Sequence, residues 1–210
     1  MNELRLYLSY WHKDANGKTI KYRRYRSDSF VGNFFKLLYA HLFKATFNNT
    51  ISETVRLYNP LDVNAIININ NELVKIYGNV ASSLIASVGA TDRGIVVGSG
   101  STAVTLNDFR LESQIPHGTA SGQLRYSAIT SSDITPINRA LSNNWYYAIT
   151  RKFDNLSPSD ITIAEVGLIG RFSTNVGLLP ALVARDVLPS PITLISNEST
   201  IIQYTIRLTI

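Results

Sequence analysis

The segment spanning residues 200–210 constrains the fold most. Ile202, Tyr204, Ile206 and Leu208 alternate with Gln203, Thr205, Arg207 and Thr209. A period of two places one set on each face of a strand, so this segment pairs inside a sheet with one face wet. The same alternation opens the chain at Leu4, Leu6, Leu8 and Tyr10. From Ile95 onward, short apolar segments follow one another with turn residues between them. The expected strands are 94–97, 122–127, 145–153, 161–169, 182–186, 192–195 and 200–210. Strands at this spacing without intervening helices indicate an antiparallel sandwich or barrel.

The N-terminal part reads differently. Residues 4–10 form an expected strand, and Asp14-Ala15-Asn16-Gly17 supplies a turn. Asn-Gly tolerates the positive φ that tight hairpins require. Residues 19–25 are the returning strand. Phe30, Phe34, Leu37/Leu38 and Leu42 then recur on one helical face, with Asp28 or Ser29 placed to cap the first turn. This amphipathic helix is too short to span a membrane, and Lys36 and His41 interrupt it. Residues 45–62 are polar and turn-rich, as a linker or long loop is. Residues 65–69 and 72–77 read as a second hairpin. The expected fold is mainly β: an antiparallel, jelly-roll-like β-sandwich with an N-terminal β-hairpin plus one amphipathic helix. The expected division is 1–44, a basic hairpin-helix docking module; 45–92, a connecting segment; and 93–210, the sandwich.

Charge follows the same division. Residues 1–44 hold nine Lys/Arg and three acids, a net +6, and residues 45–210 hold eleven against twelve, a net −1; together these give the formal +5. The densest patch is Lys21, Arg23, Arg24, Tyr25 and Arg26. Interleaved cations and tyrosines suit phosphate neutralisation and base stacking. They equally suit a solvated edge strand guarded against wrong pairing, or docking on an acidic protein surface. Nucleic acid ranks last of the three, because no nucleic-acid motif is present. Lys21, Arg23, Arg24, Tyr25, Arg26, Phe30, Phe34 and Leu38 are the candidate partner-docking residues. Over the whole chain Ser, Thr and Asn supply 56 residues against 35 charged ones. Such a composition fits an all-β domain with polar loops, which is the better reading on composition alone; neutral polar surface also suits packing against copies or partners, since it avoids desolvating charges.

Much chemistry is excluded. Without cysteine there are no disulfides, thiolate zinc sites or cysteine nucleophiles. His12, His41 and His117 share no metal-ligand spacing. Gly98-Ser99-Gly100-Ser101-Thr102-Ala103 fits a dinucleotide fingerprint, but no βαβ unit surrounds it and no acidic residue stands where the ribose needs one. A turn is the better reading, with Gly98 and Gly100 giving the backbone freedom. Thr105 to Asp108 looks like a capping box opening a short helix, which would put Asp108 and Glu112 on one face. These two, and Asp154 and Asp160, read as local caps rather than acid–base pairs. No cofactor and no metal are expected. Residues 4–11 alternate instead of forming the apolar core of a signal peptide, so folding in a cytoplasm is the expectation.

The stretch 94–111, Gly-Ile-Val-Val-Gly-Ser-Gly followed by Thr105, Asp108, Phe109 and Leu111, resembles one found in structural proteins of tailed bacteriophages and related archaeal viruses. There a G-ϕ-V-V-G-T/S-G strand-turn (ϕ apolar) precedes T-x-x-D-Y/F-x-L. The likeness continues at His117-Gly118, at 122–126, at 149–155, in Glu165-Val166-Gly167-Leu168, and in Ala184-Arg185-Asp186-Val187-Leu188. Ser27 to Phe34 also resembles the opening of such proteins. The resemblance covers 1–44 and 93–210. It implies a non-enzymatic virion component, made in the host cytoplasm, that contacts copies of itself and other virion proteins on the tail, neck or baseplate. Capsid decoration, or a receptor- or glycan-binding tail-tip module with Trp11, Trp145, Tyr146 and Tyr147 as stacking platforms, is the alternative. An enzyme ranks last. Arg151, Glu165, Arg185 and Asp186 sit amid apolar neighbours and are expected to form at least one buried charge pair that fixes strand register.

Overall fold

The computed structural model describes residues 3–27, 29–32, 34, 54–56, 66–68, 84–139, 144–174 and 177–209. They form a mainly β structure with antiparallel sheets: β1 Glu3–Lys13, β2 Thr19–Arg26, β3 Thr54–Arg56, β4 Ile66–Asn68, β5 Gly94–Gly98, β6 Arg125–Tyr126, β7 Ile134–Arg139, β8 Asn144–Asp154, β9 Ile161–Thr174, β10 Gly177–Leu194 and β11 Ser199–Thr209.

One sheet has six strands in the order β2-β1-β11-β8-β6, with β7 also paired to β8. A second runs β10-β9-β5, and β3 pairs with β4. The alternating segments behave as their period demands. Leu6, Leu8 and Tyr10 of β1 lie opposite Ile206, Tyr204 and Ile202 of β11. Tyr204 and Ile202 in turn face Ile149 and Arg151 of β8. These apolar side chains join Ile95 and Val97 of β5 and Val166 and Leu168 of β9 in one buried cluster. Strand β5 is buried along its whole length, which its continuous apolar run requires.

The polar ends are closed locally. In turn 14–18, the Asp14 carboxylate accepts the Asn16 and Lys18 N–H groups at 3.0 and 2.9 Å. Gly17 takes φ +80°, the left-handed conformation expected of Asn-Gly. Between β8 and β9, the fully buried Asn155 donates to Leu194 O at 2.8 Å and to Ser159 O at 2.9 Å. One side chain thus ties this connection to the end of β10.

Several expectations change. The region 3–26 is not appended to the sheet: β1 lies between β2 and β11, hydrogen-bonded on both sides. β4 pairs with β3, which falls in the segment read as a linker. The expected strand 72–77 and the helix beyond Phe34 lie outside the described residues. The 182–186 and 192–195 strands are one strand, β10, whose register breaks between Val187 and Ile192 around Pro189 and Pro191. Proline lacks the ladder donor and is accommodated where pairing lapses. β7 had no recognised signal.

Because β1 supplies the core, truncating its inward side chains should unfold the protein rather than only detach an arm. Leu8 is 1% exposed. Leu8→Ala should lower the unfolding free energy by about 2–5 kcal/mol, measured by urea denaturation.

Candidate functional site

Three of the quoted stretches meet at one place. Glu165 of β9 is fully buried, opposite Gly98 at the end of β5. Its Oε1 accepts the N–H groups of Gly100 at 3.2 Å and Ser113 at 2.7 Å. Its Oε2 accepts the Glu112 N–H at 3.1 Å and Arg185 Nε at 2.8 Å. An ionised carboxylate has about four acceptor positions, so every one is taken. The clamp is not a poised general base, because no lone pair is left for a substrate proton.

Arg185, on β10, extends the cluster. Its Nη1 donates to Asp108 Oδ2 at 2.8 Å, and Nη2 lies 3.7 Å from Glu112 Oε2. The guanidinium is 3% exposed and Glu112 45%, so the cluster runs from the core to the surface. Glu112 also accepts the Ser101 and Thr102 N–H groups, each at 2.8 Å. The loop after β5 is thereby held by two carboxylates from outside it.

Electrostatics follow from this wiring. Burial acts to raise the Asp108 pKa, but hydrogen bonds from Arg185, the Thr105 N–H and the Thr105 hydroxyl outweigh it and hold the group below its ordinary value. Glu112 is also held low, first by hydrogen bonds from Thr102. Burial acts to lower Arg185, while the bonds to Asp108 and Glu165 carry its net pKa above the ordinary value.

The glycines are a geometric requirement. A Cβ on Gly98 would collide with Glu165 Oε1 and stand 2.6 Å from the Ser113 carbonyl oxygen. On Gly100 it would stand 2.5 Å from the Glu112 Cβ and 2.6 Å from Glu165 Oε1. The Gly-Ser-Gly stretch therefore keeps room for a carboxylate to reach backbone N–H groups. No helix follows it.

The other expected charges take separate roles. Arg151 has 1% exposure and donates to the carbonyls of Ser127 and Ile95 at 2.9 Å and Arg93 at 3.2 Å. Its guanidinium lies 4.9 Å from the Tyr126 ring centroid. It binds carbonyls rather than the expected acid, and burial pushes it down to about 10, so it stays cationic at neutral pH. Asp186 accepts from Ser27 Oγ at 2.9 Å and Tyr204 Oη at 2.7 Å. Burial, then the Asp186 charge, raises the Tyr204 phenol well above its ordinary value.

The expected short helix at Thr105–Asp108 is a turn. Thr105 N and Oγ1 donate to the Asp108 carboxylate at 3.1 and 2.8 Å. Asp108 and Glu112 thus meet around Arg185, not along a helix face. Asp154 pairs with Lys152 at 2.7 Å, while Asp160 is exposed. His12 contacts Glu198 at 2.8 Å. Among the described residues no group of three or more His, Asp or Glu could hold a metal ion.

The docking candidates do not form one patch. Tyr25, Phe30 and Phe34 pack against the core, with the Phe30 and Phe34 rings stacked at 4.1 Å. Lys21 donates to Ser190 Oγ at 3.4 Å, and Arg23 to its neighbour's carbonyl, Tyr22 O, at 3.1 Å. The Arg24 guanidinium lies 4.5 Å from the Tyr7 ring centroid. Arg26 is exposed, and Leu38 lies outside the described residues. No family model matches the chain, and neither curated proteins nor solved structures give a match.

Removing one partner of a buried pair leaves an uncompensated charge. Glu165→Gln keeps the volume but points an amide N–H at donors, and should cost about 3–5 kcal/mol in chemical denaturation. Asp108 supplies an acid dependence of defined sign. Its folded pKa is lowered, so its contribution is complete above the unfolded carboxylate range and is lost as pH falls through the folded value. Thermal melts should show Asp108→Asn less stable than the parent at neutral pH, with the difference narrowing in acid.

Proposed function

We propose that the chain is a non-enzymatic structural component of a tailed-virus virion. In this reading it is made in the host cytoplasm and assembles as a symmetric oligomer on the tail, neck or baseplate. Capsid decoration is the alternative position. The two sheets, sharing one buried cluster, are read as the layers of a β-sandwich.

One observation carries this reading. Gly98, Gly100, Asp108, Glu165 and Arg185 come from three separate stretches of the virion-protein resemblance, and they interlock in one buried clamp. Residues placed for that reason specify a shape and not a reaction. A scaffold that must present the same surface in every copy needs such a device. The body from residue 45 onward adds support, because its eleven basic and twelve acidic residues are sparse over 166 positions and close contacts between copies desolvate few charges there.

Electron cryomicroscopy of purified particles should place the chain at a repeated position in the tail, neck, baseplate or shell. Light scattering on the isolated protein should give an integer multiple of 23.3 kDa. A protein that stays monomeric at every accessible concentration and binds no virion component would defeat the proposal.

A further inference from the structure

Strand β2 ends its sheet, with β1 on one side and no described strand on the other. The ladder to β1 decides which backbone groups face the open side. The Ser27 N–H donates to Leu6 O at 2.8 Å, and the same register continues through Tyr25 opposite Leu8, Arg23 opposite Tyr10 and Lys21 opposite His12. In an antiparallel ladder, hydrogen-bonded pairs alternate with pairs whose N–H and C=O groups point away. Tyr22 and Arg24, opposite Trp11 and Ser9, therefore aim theirs outward. Of these outward groups, the Tyr22 carbonyl alone is answered among the described residues, by the exposed Arg23 guanidinium at 3.1 Å.

Open edges are commonly blunted by a proline, a bulge, a very short strand or a charge. β2 has eight residues and no proline. Its register on β1 runs unbroken from Lys21 to Arg26, and shifts only at the hairpin end, between His12 and Lys13. Charge is the device that remains. The strand carries Lys21, Arg23, Arg24 and Arg26 and no acid. Lys21 contacts Ser190 Oγ, Arg23 the Tyr22 carbonyl and Arg24 the Tyr7 ring. None of these three contacts is with a carboxylate. Alternation puts Lys21 and Arg23 on one face of the strand and Arg24 on the other, so positive charge flanks the open edge on both faces.

We propose that the β2 edge takes up an extended acidic segment of a partner protein as an added strand. Tyr22 and Arg24 supply the main-chain hydrogen bonds, and carboxylates on the added strand meet Lys21, Arg23 and Arg24. A second copy of β2 is the wrong occupant, since pairing the strand with itself sets cations against cations. Single-stranded nucleic acid would answer the charge but has no peptide main chain to continue the ladder. The bond from Arg23 to the Tyr22 carbonyl is exposed, so it is exchanged for a strand N–H at little net cost.

This inference is separate from the virion assignment, since a virion protein whose β2 edge takes no peptide would overturn it alone. The test is fluorescence anisotropy of the full chain with a labelled Val-Glu-Glu-Val-Glu-Glu-Val peptide, which has acids on both faces of a strand. It should saturate, with affinity falling as salt rises. Binding should weaken at least about tenfold when every Glu is changed to Gln, when the peptide bonds are N-methylated, and in the double variant Arg23→Ala, Arg24→Ala, where tenfold is the affinity step of roughly 1.4 kcal/mol. N-methylation keeps the charge and removes the main-chain donors, so it separates strand addition from simple attraction. Tyr22→Pro removes one outward donor and spares the β1 ladder, so it should bind less tightly than Tyr22→Ala. Circular dichroism checks folding; if Tyr22→Pro misfolds, the N-methylated peptide makes the same comparison. Hydrogen exchange at the Tyr22 and Arg24 N–H groups should slow on saturation. No binding, equal binding of the N-methylated peptide, unchanged affinity in the double variant, tighter binding of a dT octamer, or a dimer dispersed by Tyr22→Pro would overturn the proposal.

Discussion

A carboxylate at the centre of a β structure must have every lone pair answered, and Glu165 sets this demand for the whole molecule. Its four donors come from three places: the turn after β5, the segment at Glu112 and Ser113, and β10. Each must arrive with hydrogen-bond precision, because an unpaired buried charge costs several kcal/mol. The register of β5 on β9 follows, since Gly98 has to sit opposite Glu165. The register of β10 follows as well, since Arg185 has to lie beside Gly167 to reach across to Glu165. Hydrophobic burial alone would tolerate several sheet registers; the clamp admits one.

The same demand explains why some of this was legible from residues and some was not. Alternation in 4–10 and 200–210 shows the two strands and their inward faces, because period-two patterning reports directly on burial. It does not show that these strands pair with each other along their whole length, since that contact joins opposite ends of the chain. The basic segment 19–26 looked detachable for this reason. That charge-rich strand pairs with β1 alone in its sheet order, and β1 is held in the sheet by β11, which is 180 residues or more away in sequence. β10 reads as two pieces in the sequence, while in the structure Pro189 and Pro191 fill a lapse in pairing within one strand.

The clamp was half visible. Arg185 and Glu165 stand in the sequence as charges amid apolar neighbours, and they form a buried pair at 2.8 Å. The capping-box spacing of Thr105 and Asp108 points to a helix carrying Asp108 and Glu112. That spacing shows that Thr105 and Asp108 bond locally, as they do, but it cannot show whether a helix or only a turn follows. Arg151 shows the limit of reading charge by type. A buried guanidinium can be answered by carbonyl oxygens as well as by an acid, and carbonyls carry no sequence signal.

The opposed faces of the six-stranded sheet show how one alternating pattern divides the work. Along β1, Leu6, Leu8 and Tyr10 are committed to the core, and the alternate positions Ser9 and Trp11 are committed to the other face. No residue can serve both, so core packing leaves the outward positions unconstrained by it. Those positions carry small polar, aromatic and cationic residues. The basic excess of the N-terminal region is therefore partitioned by pleat. Arg24 lies over the Tyr7 ring on the outer face, while Lys21 reaches toward Ser190 beside the second sheet. What composition presents as a single charged module is two chemically different surfaces, separated by the thickness of one strand.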